Sequence, residues 1–351
     1  MIVFIAPFPA LSNEKDGLVQ RVASIDSLVS DHERIYLDLS FRRFWSARRH
    51  NIGATKIFQL NCLLHFFLIL SLIRKAKIVY IHSMYNALKA LPAYGIARTV
   101  TDLHGVMPEE LKYGGKRGQS LLYGMVERIA LKRSFAVIHV TSAMQRHFLR
   151  KYGRRSLDDR IVAILPKLSD KRGLRENVLG MARDPMAVIY AGGLQAWQNV
   201  PMMVSAAAAA PDFHYIFLSG ETHMLQGLLS SANIQDFTCS SVEPNNVPDH
   251  YLACTYGFIL RDPVLLNQVA CPTKLVEYLY WGVIPIVLTP EIGDFKELGF
   301  KYITLECFRA GKLPNDRETG HMRTVNRHIV EKLAVSCEDE LTQLRKILHH
   351  E

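Results

Sequence analysis

Apolar positions along the chain fall into two kinds of run that take turns. Short stretches rich in Val, Ile and aromatic residues predict strands at Ile2–Ala6, Arg34–Asp38, Ile78–His82, Thr99–Leu103 and Ala136–Thr141, with another near Ile161–Leu165. Longer amphipathic stretches between them predict helices over Leu18–Ser30, Leu60–Lys75, Gln119–Lys132 and Ala143–Tyr152. After the charged stretch Ser169–Arg183 a second series begins. It has strands at Ala187–Tyr190, His214–Leu218, Gly257–Leu260 and Ile284–Leu288, and helices at Pro201–Ala210 and Thr273–Trp281. Asn199 precedes the first of these helices as its expected cap. A last helical spacing runs over Asn326–His349. Strands alternating with helices predict parallel sheets covered by helices. The expected architecture is α/β: two Rossmann-like domains, residues 1–168 and 169–351, with sheets facing one cleft. The last helix, about 326–349, has the option of packing back on the first domain. Polar or glycine-containing segments follow the strands at Pro7–Gly17, Ser83–Asn86 and His104–Glu110, where an open α/β sheet places its ligands.

The run Leu60–Ile73 (LNCLLHFFLILSLI) is almost continuously apolar and is followed by Arg74, Lys75 and Lys77. It is shorter than the ~20 residues a spanning helix needs. It reads as a buried helix against the first sheet, or as a helix lying on a bilayer with its basic end at the headgroups.

Composition narrows the classes. The 351 residues are 49% hydrophobic, which excludes wholesale disorder. Six scattered cysteines with no CxxC pair argue against a zinc module or a disulfide scaffold and fit a reducing, cytoplasmic setting. The opening MIVFIAPFP has no basic residue before its apolar run, so it reads as a first strand and not a signal peptide. Charge is uneven: residues 1–170 hold 26 Lys and Arg against 13 Asp and Glu, while residues 171–351 hold 16 against 20. The first half therefore faces something anionic, be it headgroups, nucleic acid or a phosphorylated substrate.

The segment CPTKLVEYLYWGVIPIV (Cys271–Val287) carries the clearest chemistry. Pro272, Thr273 and Lys274 open a helix after a long loop, so its free N–H groups and positive end suit a diphosphate. Lys274 lies one turn before Glu277, which allows one elongated ligand to meet both, phosphate at the lysine and ribose hydroxyls at the glutamate. The plainer alternative is a solvated lysine and a glutamate that offsets the helix dipole.

This segment resembles the nucleotide-sugar half of GT-B glycosyltransferases, particularly the retaining family four that builds bacterial surface polysaccharides. The carrying residues are Pro272, Lys274, Glu277, Tyr278, Gly282 and Pro285. Further matches occur in order: Thr101-Asp102-Leu103-His104-Gly105 with Pro108-Glu109-Glu110; Val137–Met144; Ile164-Leu165-Pro166; and Tyr190-Ala191-Gly192-Gly193-Leu194. The resemblance implies a glycosyltransferase that moves a sugar from a nucleotide donor. His104 would contact the donor sugar as the catalytic candidate, and Gly17 and Gly193 would approach the donor. Asn199, Arg261, Asn267, Pro272, Thr273, Lys274 and Glu277 complete the expected donor site.

The chain departs from the family in two ways. No cation follows the second glycine loop (Gly192–Asn199), so Arg261 and Lys274 are expected to neutralise the diphosphate. Arg261 as a partner of Asp262 or Glu291 is the alternative. The first of the family's paired glutamates is Val269 here, leaving Asn267 or Gln268 to replace it. His82 and Asp102 are expected to be structural. No Asp-x-Asp occurs, so neither metal nor other cofactor is expected beside the donor. An inverting enzyme would need a base, with Glu109, Glu110 and Asp16 as candidates.

The resemblance also implies a glycan acceptor, often linked to a lipid diphosphate, that the basic half would bind. Arg42, Arg43, Arg48, Arg49 and the Lys112–Arg117 segment, including Lys116 and Arg117, are the candidate contacts. They would also give peripheral docking on an anionic inner membrane face. Nucleic acid is not expected, because clustered aromatic platforms are missing. A nucleotide-sugar epimerase of the same architecture and a non-catalytic binding subunit are the alternatives.

Overall fold

A computed structural model describes residues 1–9, 17–153, 158–166 and 182–349. The expected base Asp16 and most of the Ser169–Arg183 stretch lie outside them. The chain divides into two compact units, Met1–Ala163 with Ser336–Glu351, and Ile164–Val335.

The first unit holds strands β1 (Ile2–Ile5), β2 (Arg34–Ser40), β3 (Arg48–Ile52), β4 (Thr55–Asn61), β5 (Ile78–His82), β6 (Thr99–Asp102), β7 (Ala136–His139) and β8 (Asp158–Ile161), in the order β3-β4-β2-β1-β5-β6-β7-β8. β1, β5, β6 and β7 are buried along their whole length, as expected of strands covered on both faces. The Phe4 ring stacks on Tyr36 at 5.0 Å across β1 and β2. The helices are α1 (Gly17–Asp26), α2 (Phe66–Arg74), α3 (Ser83–Lys89), α4 (Ala93–Ile96), α5 (Met107–Tyr113), α6 (Arg117–Arg133) and α7 (Ser142–Tyr152). The β1-to-β2 crossover runs one way along the sheet; the crossovers into β5, β6 and β7 run the other way. Right-handed crossovers then place α1 on one face and α2 to α6 on the opposite one. Packing agrees, with α2 against α4 and both α3 and α4 against α6.

Several expectations change in this unit. The run read as one helix, Leu60–Lys75, is split: β4 takes its start and α2 only Phe66–Arg74. The Asn61 carboxamide oxygen accepts the N–H groups of Leu63 and Leu64 at 3.0 and 3.2 Å, turning the chain out of the strand. β3 is an antiparallel edge strand paired with β4 through a turn at Gly53, so the first sheet is not wholly parallel. The strand expected near Ile161–Leu165 lies earlier, as β8. The loop expected at His104–Glu110 contains the start of α5.

The second unit holds β9 (Asp184–Ala191), β10 (His214–Leu218), β11 (Phe237–Ser240), β12 (Cys254–Ile259), β13 (Ile284–Val287) and β14 (Ile303–Thr304). Its order is β11-β10-β9-β12-β13-β14, and every pair is parallel. Helices α8 (Val200–Ala208), α9 (Thr222–Ser231), α10 (Val247–Ala253), α11 (Leu265–Gln268), α12 (Thr273–Trp281), α13 (Leu305–Arg309) and α14 (Asp316–His349) complete it. The tail of α14 belongs to the first unit. With β9 as the first strand this is the doubly wound order that reverses direction beside it, and the reversal between β9 and β12 is where such sheets bind ligands. No helix among the described residues is long and apolar enough to cross a membrane.

Candidate functional site

The loops that follow β9 and β12, and the start of α12, meet at that reversal. α12 is seated by its own sequence. Tyr278 donates its hydroxyl to the Ile189 carbonyl of β9 at 3.0 Å. An added Cβ at Gly257 of β12 would strike the Tyr278 ring, so the glycine admits the helix. Gly282 ends α12 in the left-handed conformation at φ 75°. At the other end the Leu275 and Val276 N–H groups bond the Pro272 carbonyl. The Thr273 and Lys274 N–H groups remain at the open, positive helix terminus.

Lys274 is 8% exposed. Its Nζ lies 3.8 Å from the centroid of the Tyr190 ring and 3.4 Å from Gln198 Oε1. An added Cβ at Gly192 would come within 2.5 Å of that ammonium, so a side chain there would displace the lysine end. Burial, and to a lesser degree Arg261, hold the Lys274 amine well below its ordinary range, with Glu277 acting in the opposite direction. Arg261, just past β12, donates from Nη1 to Asn267 Oδ1 at 3.2 Å, and its buried Nε–H has no partner. Burial lowers its guanidinium to about 10. Neither cation has a carboxylate within ion-pair distance among the described residues. Arg261 therefore does not pair with Asp262 or Glu291; Glu291 pairs with Lys296.

Asn267 is buried and donates to the Asp262 carbonyl at 3.0 Å, fixing the Arg261 loop. Asn199 takes the left-handed conformation at φ 59° and makes no side-chain cap; its amide donates to Asp262 Oδ1 at 3.0 Å and ties the β9 loop to the β12 loop. The capping expectation for Asn199 is corrected accordingly: its side-chain amide is turned to Asp262 Oδ1 and Met202 Sδ, and its oxygen takes no N–H of the first helical turn. The Gly193 carbonyl accepts the Tyr190 hydroxyl at 2.5 Å. Glu277 accepts from the Tyr251 hydroxyl at 2.8 Å, and burial raises its carboxyl above the usual value. The second unit thus gathers Gly193, Asn199, Arg261, Asn267, Pro272, Thr273, Lys274 and Glu277 about one sheet end. Tyr190, Gln198 and Tyr251 join them and were not expected. Tyr190 opens the Tyr190–Leu194 stretch, but nothing local marks it as a platform for a lysine 84 positions on.

His104 and Gly17 belong to the first unit. Gly17 begins α1. His104 follows β6, and its Nε2 lies 3.6 Å from Asp102 Oδ2. Asp102 is fully buried and receives Arg21 Nε at 3.0 Å, Arg21 Nη2 at 3.2 Å and the Tyr80 hydroxyl at 2.9 Å. Despite the cost of burial, Arg21, helped by His104, keeps its carboxyl well below the usual range. His82 is fully buried, and desolvation lowers its imidazole to about 3. The ligand atoms of His82, Asp102 and His104 lie within 4.8 Å of one another, a spacing a metal ion can bridge. Both oxygens of their one carboxylate are already held by Arg21, so the donor set fits a metal poorly.

The base candidates separate. Glu109 accepts from Lys151 at 2.7 Å with His147 Nε2 at 3.5 Å, and despite burial these partners lower its carboxyl to about 2. Glu110 accepts the Val106 N–H at 3.1 Å, and burial raises it. The acceptor candidates lie on two elements. Arg42 and Arg43 are exposed after β2, with their N–H groups on Ser40 Oγ; Lys116 and Arg117 are exposed at the start of α6. Arg48 and Arg49 lie on the exposed strand β3.

No family model matches the chain, and no curated protein matches it. Among solved structures the chain is similar to sucrose-phosphate synthase from Thermosynechococcus elongatus, with TM-score 0.71, 12% identity, and coverage of 100% of this chain and 99% of that one. It is also similar to HepE from Anabaena in complex with UDP-glucose, with TM-score 0.66, 14% identity, and 98% of each chain covered. A third is α,α-trehalose 6-phosphate synthase from Burkholderia multivorans, with TM-score 0.66, 10% identity, and coverage of 99% of this chain and 97% of that one. At such identity the likeness speaks to the fold, and the fold is GT-B.

Proposed function

We propose that the chain is a glycosyltransferase that takes a sugar from a nucleoside diphosphate donor. One observation carries the reading: buried Lys274 and half-buried Arg261 lie beside an open helix start without a carboxylate within ion-pair distance among the described residues. A buried lysine and a half-buried arginine in that state call for an anion, and a diphosphate has the charge and the reach. The HepE structure's UDP-glucose supports a uridine donor. Glu277, aimed by Tyr251, takes the ribose hydroxyls. As the bond from the anomeric carbon to the phosphate oxygen breaks, charge grows on the departing diphosphate. Lys274, Arg261 and the Thr273 and Lys274 amides meet it there. The acceptor hydroxyl forms the new bond at that carbon and gives its proton to the leaving phosphate. In this reading transfer is retaining and metal-independent, and His104, 3.6 Å from Asp102, is the contact to the donor sugar.

The acceptor in this reading is a glycan on a lipid diphosphate, bound by the cationic first unit during peripheral association with the cytoplasmic membrane face. An epimerase of the same fold is the second enzymatic reading. Incubation with UDP-sugars and a lipid-linked glycan fraction distinguishes them. Transfer yields free UDP and an extended acceptor; epimerisation yields a new UDP-sugar. If UDP, GDP, ADP and CMP all leave the melting temperature unchanged, the donor site is refuted.

A further inference from the structure

The helix layer on one face of the first unit's sheet carries a surface that the glycosyl-transfer site does not use. α2 buries Ile69 and Ile73 and turns Phe67 outward at 84% exposure. Leu63 and Leu64, in the turn leading into α2, are exposed as well. On α6, Leu121, Met125 and Ile129 follow one another at four-residue spacing along one stripe, and all three are exposed. α4 packs against both α2 and α6 and carries exposed Ile96 between them. Soluble monomers rarely leave so extended an apolar face to water.

Exposed charge on α2, α3, α4 and α6 has one sign, and the half-buried Glu109 and Glu110 of α5 are engaged by Lys151 and the Val106 N–H. Between Asp38 and Asp102, over positions 39–101, the chain holds no carboxylate side chain. Across α2, α3, α4 and α6 there is one, Glu127, buried and held by Lys151 Nζ and the Tyr152 hydroxyl, each at 2.6 Å. Lys75, Arg128 and Lys132 are exposed around the apolar stripe. Apolar side chains ringed by cations without exposed carboxylates match the acyl boundary and headgroups of an anionic bilayer. A protein partner's surface mixes both signs of charge and would call for carboxylates here too.

We propose that the outer face of α2, α4 and α6 docks on an anionic lipid monolayer, with Phe67 and Leu121 entering the acyl boundary. This is distinct from the cationic segments Arg42–Arg49 and Lys112–Arg117 considered for acceptor contact, because the anchor is apolar and the cations orient it. The proposal deepens the reading of a lipid-linked acceptor, on which it rests only for its purpose. Vesicle binding is measured without donor or turnover, so its failure is separable from failure of glycosyl transfer.

The test is flotation of the full chain with phosphatidylcholine vesicles, with and without about one-third phosphatidylglycerol, at low and high salt. The expected result is binding to anionic vesicles that salt weakens but does not abolish. Phe67→Glu with Leu121→Glu should lower the partition coefficient by at least about tenfold, since each removes a large apolar contact. Both positions are exposed, so an unchanged UDP-induced melting shift will show that the variant is folded. A Phe67→Trp variant should blue-shift its emission on anionic vesicles and be quenched by brominated lipid. The proposal is overturned if the wild type ignores anionic vesicles at low salt, if the double variant binds as well as the wild type, or if the wild type is a dimer that the double variant converts to a monomer without change in vesicle binding.

Discussion

Two groups of desolvated cations, one in each unit, differ in the partners they meet. Arg21 is fully buried, but Asp102 meets it with two bonds and Tyr80 and His104 complete the set. Its guanidinium is raised above its ordinary value by Asp102 even against the cost of burial. Lys274 is buried and Arg261 half-buried, yet both are lowered, by desolvation first. A buried cation with its carboxylate in place is part of the scaffold. One without such a partner is an unfinished interaction that a ligand completes. The same residue types thus have opposite meanings, and the difference lies in partners that are distant in sequence.

Substitutions break this comparison from opposite ends. Asp102→Asn leaves Arg21 buried without its charge partner and should cost about 3–5 kcal/mol of folding free energy, read as a lowered urea midpoint. Lys274→Met removes a cation that the fold does not need, so it should be neutral or stabilise by about 1 kcal/mol. Equal losses from the two would erase the distinction.

Smaller effects sharpen it. Glu277→Ala should weaken uridine binding by about 2 kcal/mol, the worth of hydrogen bonds to a charged acceptor. Tyr251→Phe, which only frees Glu277 to turn, should cost about 1 kcal/mol in the same titration. An unchanged uridine affinity in the first variant would remove Glu277 from the ribose.

Proton linkage gives a further reading. Lys274 has a lowered pKa in the fold, so the unfolded chain holds that proton more tightly. Stability should therefore fall as pH drops from 10.5 toward the lowered value and level off below it. In that same window a bound diphosphate draws the proton back, so UDP binding should take up a proton and tighten as pH falls. Calorimetry in buffers of different ionisation enthalpy detects the uptake, and Lys274→Met should abolish it. Uptake that persists in that variant would mean another group is titrating.

Much of the second unit is legible from local sequence. α12 occupies the expected Thr273–Trp281 and β10 the expected His214–Leu218, because both carry their periodicity and their boundaries within themselves. Lys274 and Glu277 are visible for the same reason, being one turn apart on one helix. The first unit is harder around Leu60. There the apolar residues of β4 run into those of α2, and the break is made by the Asn61 side chain, which hydrophobic pattern does not register. The polar pairings are the least legible. Tyr251 with Glu277, Asn199 with Asp262 and Arg21 with Asp102 are 26, 63 and 81 positions apart. Only the folded sheet brings them together, so Arg21 and Tyr251 carry no local mark of their roles.

Titration calorimetry of UDP and of uridine against wild type and Lys274→Met bears on the diphosphate site most directly. The account predicts that the substitution weakens UDP by about a hundredfold, about 2.7 kcal/mol, and leaves uridine within about twofold. Equal loss of both ligands, or of neither, would contradict it.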